Sequence, residues 1–187
     1  MYQHILDVAA ALFYKYGIRA VGIDRIIAEA EIAKATLYRH FRSKEELIIA
    51  YLKARQVNAL ANLDSCIETA GQDPLARACA PFSHLANKIS ADFRGCAFLI
   101  AVAEHEDIPQ VRQAVAAYKD EVRKLFAGAL TGIDPSVQLT LSKQLTMLYD
   151  GALATVMVRR SAEDVLVALD CARELVTSYL QRSSRIV

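Results

Sequence analysis

Apolar residues recur at helical spacing along nearly the whole chain. Ile5, Ala9, Leu12, Phe13 and Tyr16 form one stripe, and Gly17 is placed to end that helix. Short helices follow from about Asp24 to Ala30 and from about Lys34 to Phe41. Ser43-Lys44-Glu45-Glu46 has the form of a capping box and opens a long helix to about Ala70, closed by Gly71. Asp73-Pro74 and Asp134-Pro135 each read as a cap followed by proline at the first helical position. Between them the pattern breaks at Ala91 to Gly95, resumes through Phe98, Leu99 and Val102, and starts again at Asp107-Ile108-Pro109, with Gly132 as the stop. Ser161-Ala162-Glu163-Asp164 opens the last helix, where Val165, Leu169, Ala172, Val176 and Tyr179 recur at near-heptad spacing. Strand-like alternation never lasts. The pattern predicts an all-α protein of about nine helices.

The helices before residue 45 are short, and those after it are long. The stretch from Leu139 to Val158 is apolar on two faces: Leu141, Leu145, Leu148 and Ala152 on one, Tyr149, Leu153 and Val156 on another. Such a helix must be covered on more than one side. This shift predicts a first domain over 1–45 and a second over 46–187. Hydrophobic residues make up 54% of the 187, enough for a core. The four cysteines, at 66, 79, 96 and 171, contain no CxxC pair, which argues against a disulfide framework or a zinc ribbon. No apolar run approaches the length of about 18 residues that spans a bilayer, and Met1 to His4 does not read as a leader. The expected setting is cytoplasmic, with no membrane partner.

The net charge of +1 becomes informative once it is placed. Residues 1–55 carry nine Lys/Arg against six Asp/Glu, and the remainder carries thirteen against fifteen. From Ile32 to Lys44 there are Lys34, Arg39, Arg42 and Lys44 and no acid. On a helical wheel Leu37 and Phe41 fall together and must face a core. Ala35 and Arg39 lie opposite, Thr36 and His40 on one flank, Lys34 and Tyr38 on the other. That outward surface suits a duplex. Its cations neutralise phosphates, and its hydroxyls and imidazole donate to phosphate oxygens. Ala35 allows close approach, and Arg39 can reach guanine O6 and N7. Lys44 stands at a helix start, where an anion is already favoured.

Thr36-Leu37-Tyr38-Arg39-His40-Phe41 followed by Ser43-Lys44-Glu45-Glu46-Leu47 resembles the signature of the TetR (TetR/AcrR-like) family of transcriptional regulators. Upstream, Gly22-Ile23-Asp24-Arg25-Ile26-Ile27-Ala28-Glu29-Ala30 is similar to its first motif helix, so the likeness covers about residues 4–52. Arg94-Gly95-Cys96-Ala97-Phe98-Leu99 with Glu104 is similar to a segment of one broad branch. The resemblance implies an N-terminal three-helix helix-turn-helix domain that binds double-stranded operator DNA, and a C-terminal helical domain for effector binding and dimerisation. It implies a homodimer through the helices near 136–159 and 162–181, a small-molecule effector that releases the operator, and neither a cofactor nor an enzymatic activity. Carried over, Thr36, Tyr38, His40 and Lys44 are phosphate contacts, and Lys34, Ala35 and Arg39 face the groove. The family usually has Gly where Glu31 stands and often Ser or Thr where Ala33 stands. A basic arm before the first helix, present in many members, is not expected.

An effector pocket between helices is mostly apolar with a few polar points. Candidates are Phe82, Leu85, Phe98, Leu99, Tyr118, Met147 and Tyr149, with Cys96 and Glu104 among the polar ones. Each also reads as ordinary core or capping chemistry. Glu104-His105-Glu106-Asp107 is better explained as a helix end than as a metal site. The helix from Lys44 to Ala70, with Gln56, Leu60 and Leu63, is the expected route between the two functions. Two alternatives stand beside the repressor. One is a structural DNA-binding protein without effector; the other is an all-helical enzyme built on His84 or His105, for which no nucleophile–base set is evident.

Overall fold

A computed structural model of the chain describes residues 1–90 and 92–183. Among these are nine helices and no strand: α1 Tyr2–Tyr16, α2 Ile23–Glu29, α3 Lys34–His40, α4 Lys44–Thr69, α5 Pro74–Lys88, α6 Ala97–Glu104, α7 Pro109–Ala129, α8 Pro135–Arg159 and α9 Glu163–Ser183. Helix starts follow local chemistry. Asp73 accepts from the amides of Leu75 and Ala76, and Asp134 from those of Ser136 and Val137, each ahead of a proline. Such a cap is worth about 1 kcal/mol. At the start of α4 the Ser43 hydroxyl accepts from Glu46 N–H at 3.2 Å. The Glu46 carboxylate reaches back one residue further than a standard box, to Arg42 N–H at 2.7 Å. Residues 92–95 are non-helical, as the pattern break predicts; Ala91 lies outside the described residues.

The chain forms two compact units. The first comprises Met1–Asn58 and Cys96–Tyr118, the second Ala59–Gly95 and Lys119–Val187. In the first unit Ile5, Leu12, Phe13, Ile26, Leu37, Phe41 and Leu47 are buried, so α1 to α3 and the start of α4 share a core. Phe13 meets Tyr51 edge-on at 5.5 Å, and Phe98 stacks on Tyr118 at 3.7 Å. Burying a side chain such as Leu37 contributes about 2–3 kcal/mol. The expected Tyr16 is exposed instead and carries the Arg25 guanidinium 3.9 Å from its ring centre.

In the second unit α5 packs on α9, and α9 on α8. Phe82, Phe126 and Tyr149 form a buried aromatic cluster with centres 5.5–5.9 Å apart. The 92–95 segment is bound to the end of α8. The Arg160 guanidinium donates to the Phe93 carbonyl, and Gly95 lies against Met157. Both apolar faces read from the sequence of α8 are largely covered: Leu141, Leu145, Ala152, Tyr149, Leu153 and Val156 are buried. A third side is not. Met147 is 76% and Val158 82% exposed, with Gly151 and Ala154 exposed between them. No helix among the described residues is long and apolar enough to cross a membrane.

Candidate nucleic-acid interface and effector residues

α2 and α3 are joined by a turn in which Glu31 has φ +52, the left-handed region. A side chain there costs about 1–2 kcal/mol that glycine avoids. This accounts for the glycine that the family usually carries at this place. Ala33 is the N-cap of α3 and makes no side-chain cap bond; the Thr36 amide instead closes on the Ala33 carbonyl at 2.8 Å.

α3 is only seven residues long, and its orientation is fixed by Leu37 and Phe41, both essentially fully buried. Tyr2 stacks tilted on Phe41 at 4.7 Å and edge-on to His40 at 6.4 Å, which pins the C-terminal end of α3 to α1. With those two residues inward, Ala35, Tyr38 and Arg39 are exposed, and Thr36 and His40 are half-exposed on the flank. The wheel assignment therefore matches the observed faces. Lys34 is exposed but not alone: its ammonium pairs with Asp24 of α2 at 3.2 Å. A largely solvated pair of this kind is weak, so a phosphate can displace it. The sequence window from Ile32 to Lys44 missed this acid because it comes from the preceding helix. Lys44 is half-buried at the start of α4; burial pushes its ammonium down, and Glu104 and Glu45 pull it back up.

The candidate effector residues divide between the units. Phe82, Leu85 and Tyr149 lie in the second unit, buried in its aromatic core. Met147, on the same helix as Tyr149, is on the uncovered side of α8. Cys96, Phe98 and Tyr118 are buried in the first unit, with Leu99 half-buried. Glu104 belongs to the first unit too, and its carboxylate is bonded to the Arg19 backbone amide.

The second unit also has an open cleft of about 640 Å³ that the sequence did not single out. It lies between the C-terminal half of α4 and α5, lined by Asn62, Cys66, Thr69, Cys79, Ser83 and His84 among others. Its titratable groups are held neutral. Burial pushes both thiols up, and burial with Lys88 pushes His84 down. Its lining residues recur at helical spacing, but they are mostly small or polar and read as an ordinary solvated helix face. Among the described residues no group of three or more ligating side chains could hold a metal.

The comparisons with known proteins fall on this geometry. The family model of bacterial regulatory proteins, tetR family, matches residues 5–51, from α1 to the first turns of α4. The crystal structure of SCO4454, a TetR-family transcriptional regulator from Streptomyces coelicolor, is 32% identical, covers 95% of this chain and 88% of that one, and superposes with a TM-score of 0.86. This chain belongs to the TetR family of transcriptional regulators. The transcriptional repressor KstR of Rhodococcus jostii is 29% identical over 93% of this chain and 81% of its own length. The transcriptional activator FasR of Mycolicibacterium smegmatis is 29% identical over 66% of this chain and 57% of its own length. Its relatives are transcriptional regulators rather than enzymes, and the helix-turn-helix reading of α2 and α3 is the family's own.

Proposed function

We propose that this TetR-family regulator is a homodimeric repressor that binds operator DNA through α3 and Lys44 and is released by a small-molecule effector. The observation that carries the DNA-binding assignment is the surface of α3. With Leu37 and Phe41 buried, it presents Ala35, Tyr38 and Arg39 outward with no carboxylate of its own. Lys34, Ala35 and Arg39 face the groove, and Thr36, Tyr38, His40 and Lys44 contact phosphates. The likeness to KstR supports repression. Release follows if the effector prefers a form in which the two recognition helices no longer sit about 34–36 Å apart. The candidate effector residues in each unit, from Phe82 to Tyr149, are the places to look for that preference.

The test is titration of the protein onto its own upstream DNA against a scrambled duplex at two salt concentrations. Selective binding with a steep salt slope is expected. Arg39→Ala should weaken the specific complex by about 1–3 kcal/mol and relax discrimination at one base pair. Lys44→Ala should weaken both complexes and lower the salt slope by about one. If Arg39→Ala binds the specific duplex as the parent does, α3 is not the reading helix.

Dimerisation is assigned to α8 and α9. Met147, Gly151, Ala154 and Val158 on α8, with Leu166, Val167 and Cys171 on α9, are exposed and mostly small or apolar. An uncovered patch of that kind on a packed helix pair suits a second copy of the chain. Val158→Glu should convert the dimer to monomer in sedimentation velocity and, by separating the two heads, abolish tight operator binding. A Val158→Glu protein that sediments as a dimer would move the interface elsewhere.

A further inference from the structure

Glu104 is the last residue of α6, and its carboxylate lies in the first unit against the turn between α1 and α2. Oε2 accepts from the backbone N–H of Arg19 at 2.8 Å. Oε1 lies so close to Gly17 that a Cβ built there would stand 2.7 Å from it. Gly17 has φ +89, so its conformation and its neighbour both favour glycine. Gly17 and Arg19 belong to the turn between α1 and α2. A carboxylate from distant sequence thus closes the turn that sets how α2 leaves α1. Its charge also favours the charged form of Lys44, which burial disfavours, and burial together with Lys44 lowers His105 beside it.

We propose that Glu104 is a positioning residue for DNA binding: it fixes the α1–α2 turn through the backbone amide of Arg19. It lies outside residues 5–51, the segment that the family model matches. The inference rests on the DNA-binding reading given above. Two substitutions test this. Glu104→Gln keeps a carbonyl oxygen for the Arg19 amide. Glu104→Ala removes the acceptor.

The experiment is titration of the full-length protein variants onto the specific duplex at low and high salt, with amide hydrogen exchange read at Arg19. Glu104→Gln should bind within about twofold of the parent at both and keep Arg19 protected. Glu104→Ala should bind about tenfold weaker at both and lose protection at Arg19. Both variants weakened alike, or both unchanged, would overturn the inference. Arg39→Ala in the same series tells the two failures apart. If it has no effect, the DNA-binding reading itself falls. If it weakens binding while the Glu104 variants match the parent, only the role of Glu104 falls. Should Glu104→Ala fail to fold, exchange in the parent still decides: an Arg19 amide that exchanges as fast as an unbonded one would show that the carboxylate does not hold the turn.

Discussion

Phe82→Ala is expected to destabilise the protein by about 3–5 kcal/mol, measured as a shift in the urea midpoint with an unchanged slope. Phe82 is fully buried on α5. Its ring meets Tyr149 edge-on at 5.5 Å and Phe126 at 5.9 Å, so truncation removes aromatic contacts from both and leaves a void between α5, α7 and α8. Ala at Val57, 67% exposed on α4, should change stability by no more than about 0.5 kcal/mol in the same assay. The substitution also separates core from pocket wall. Phe82→Leu keeps most of the volume and should retain most of the stability. A loss of effector response in Phe82→Leu would show that the ring meets a ligand as well as its neighbours. A midpoint for Phe82→Ala within error of the parent would mean that the aromatic cluster does not hold the second unit together.

Gly95→Ala should cost about 3 kcal/mol or more, from two separable sources. Gly95 has φ +90, where a Cβ costs about 1–2 kcal/mol. A Cβ there would also stand 1.9 Å from Met157 Cγ and 3.2 Å from its Cβ, too near the root of that side chain for a rotamer change alone to relieve it. Forced overpacking adds about 1–3 kcal/mol. The Arg160–Phe93 bond beside it limits how far the segment can withdraw. A double-mutant cycle with Met157→Ala isolates the steric part. Gly95→Ala should be milder in the Met157→Ala background, and the residue of the cost is backbone conformation. Equal costs in both backgrounds would show that the two segments do not press on each other.

The sequence disclosed what is encoded locally. The starts of α5 and α8 were readable because an Asp cap and a following Pro act within three residues. The inward side of α3 was readable because Leu37 and Phe41 are one turn apart, and that fixed the outward side as well. Contacts between distant segments left no local mark. Nothing around Glu104 announces an amide partner at Arg19, 85 residues earlier, and nothing around Gly95 announces Met157. Glu31 hid its own conformation: a left-handed turn is legible when glycine occupies it and illegible when glutamate does. No acid stands near Lys34 in the local sequence from Ile32 to Lys44, because its partner Asp24 lies one helix back. The effector residues are the hardest part. Phe82, Phe98, Tyr118 and Tyr149 have the spacing of core, and a pocket wall has the same spacing.

The discontinuity of the first unit bears on how such regulators are recombined. Residues 1–58 are completed by Cys96–Tyr118, which returns to them after a long excursion of the chain. The reading head is therefore not a cassette that can be cut at the end of its signature. A hybrid taking only the first 58 residues from this chain would set α1 to α3 and the first half of α4 against a foreign α6, without the carboxylate that closes its first turn. Grafting its operator preference onto another sensor means moving two pieces of chain together.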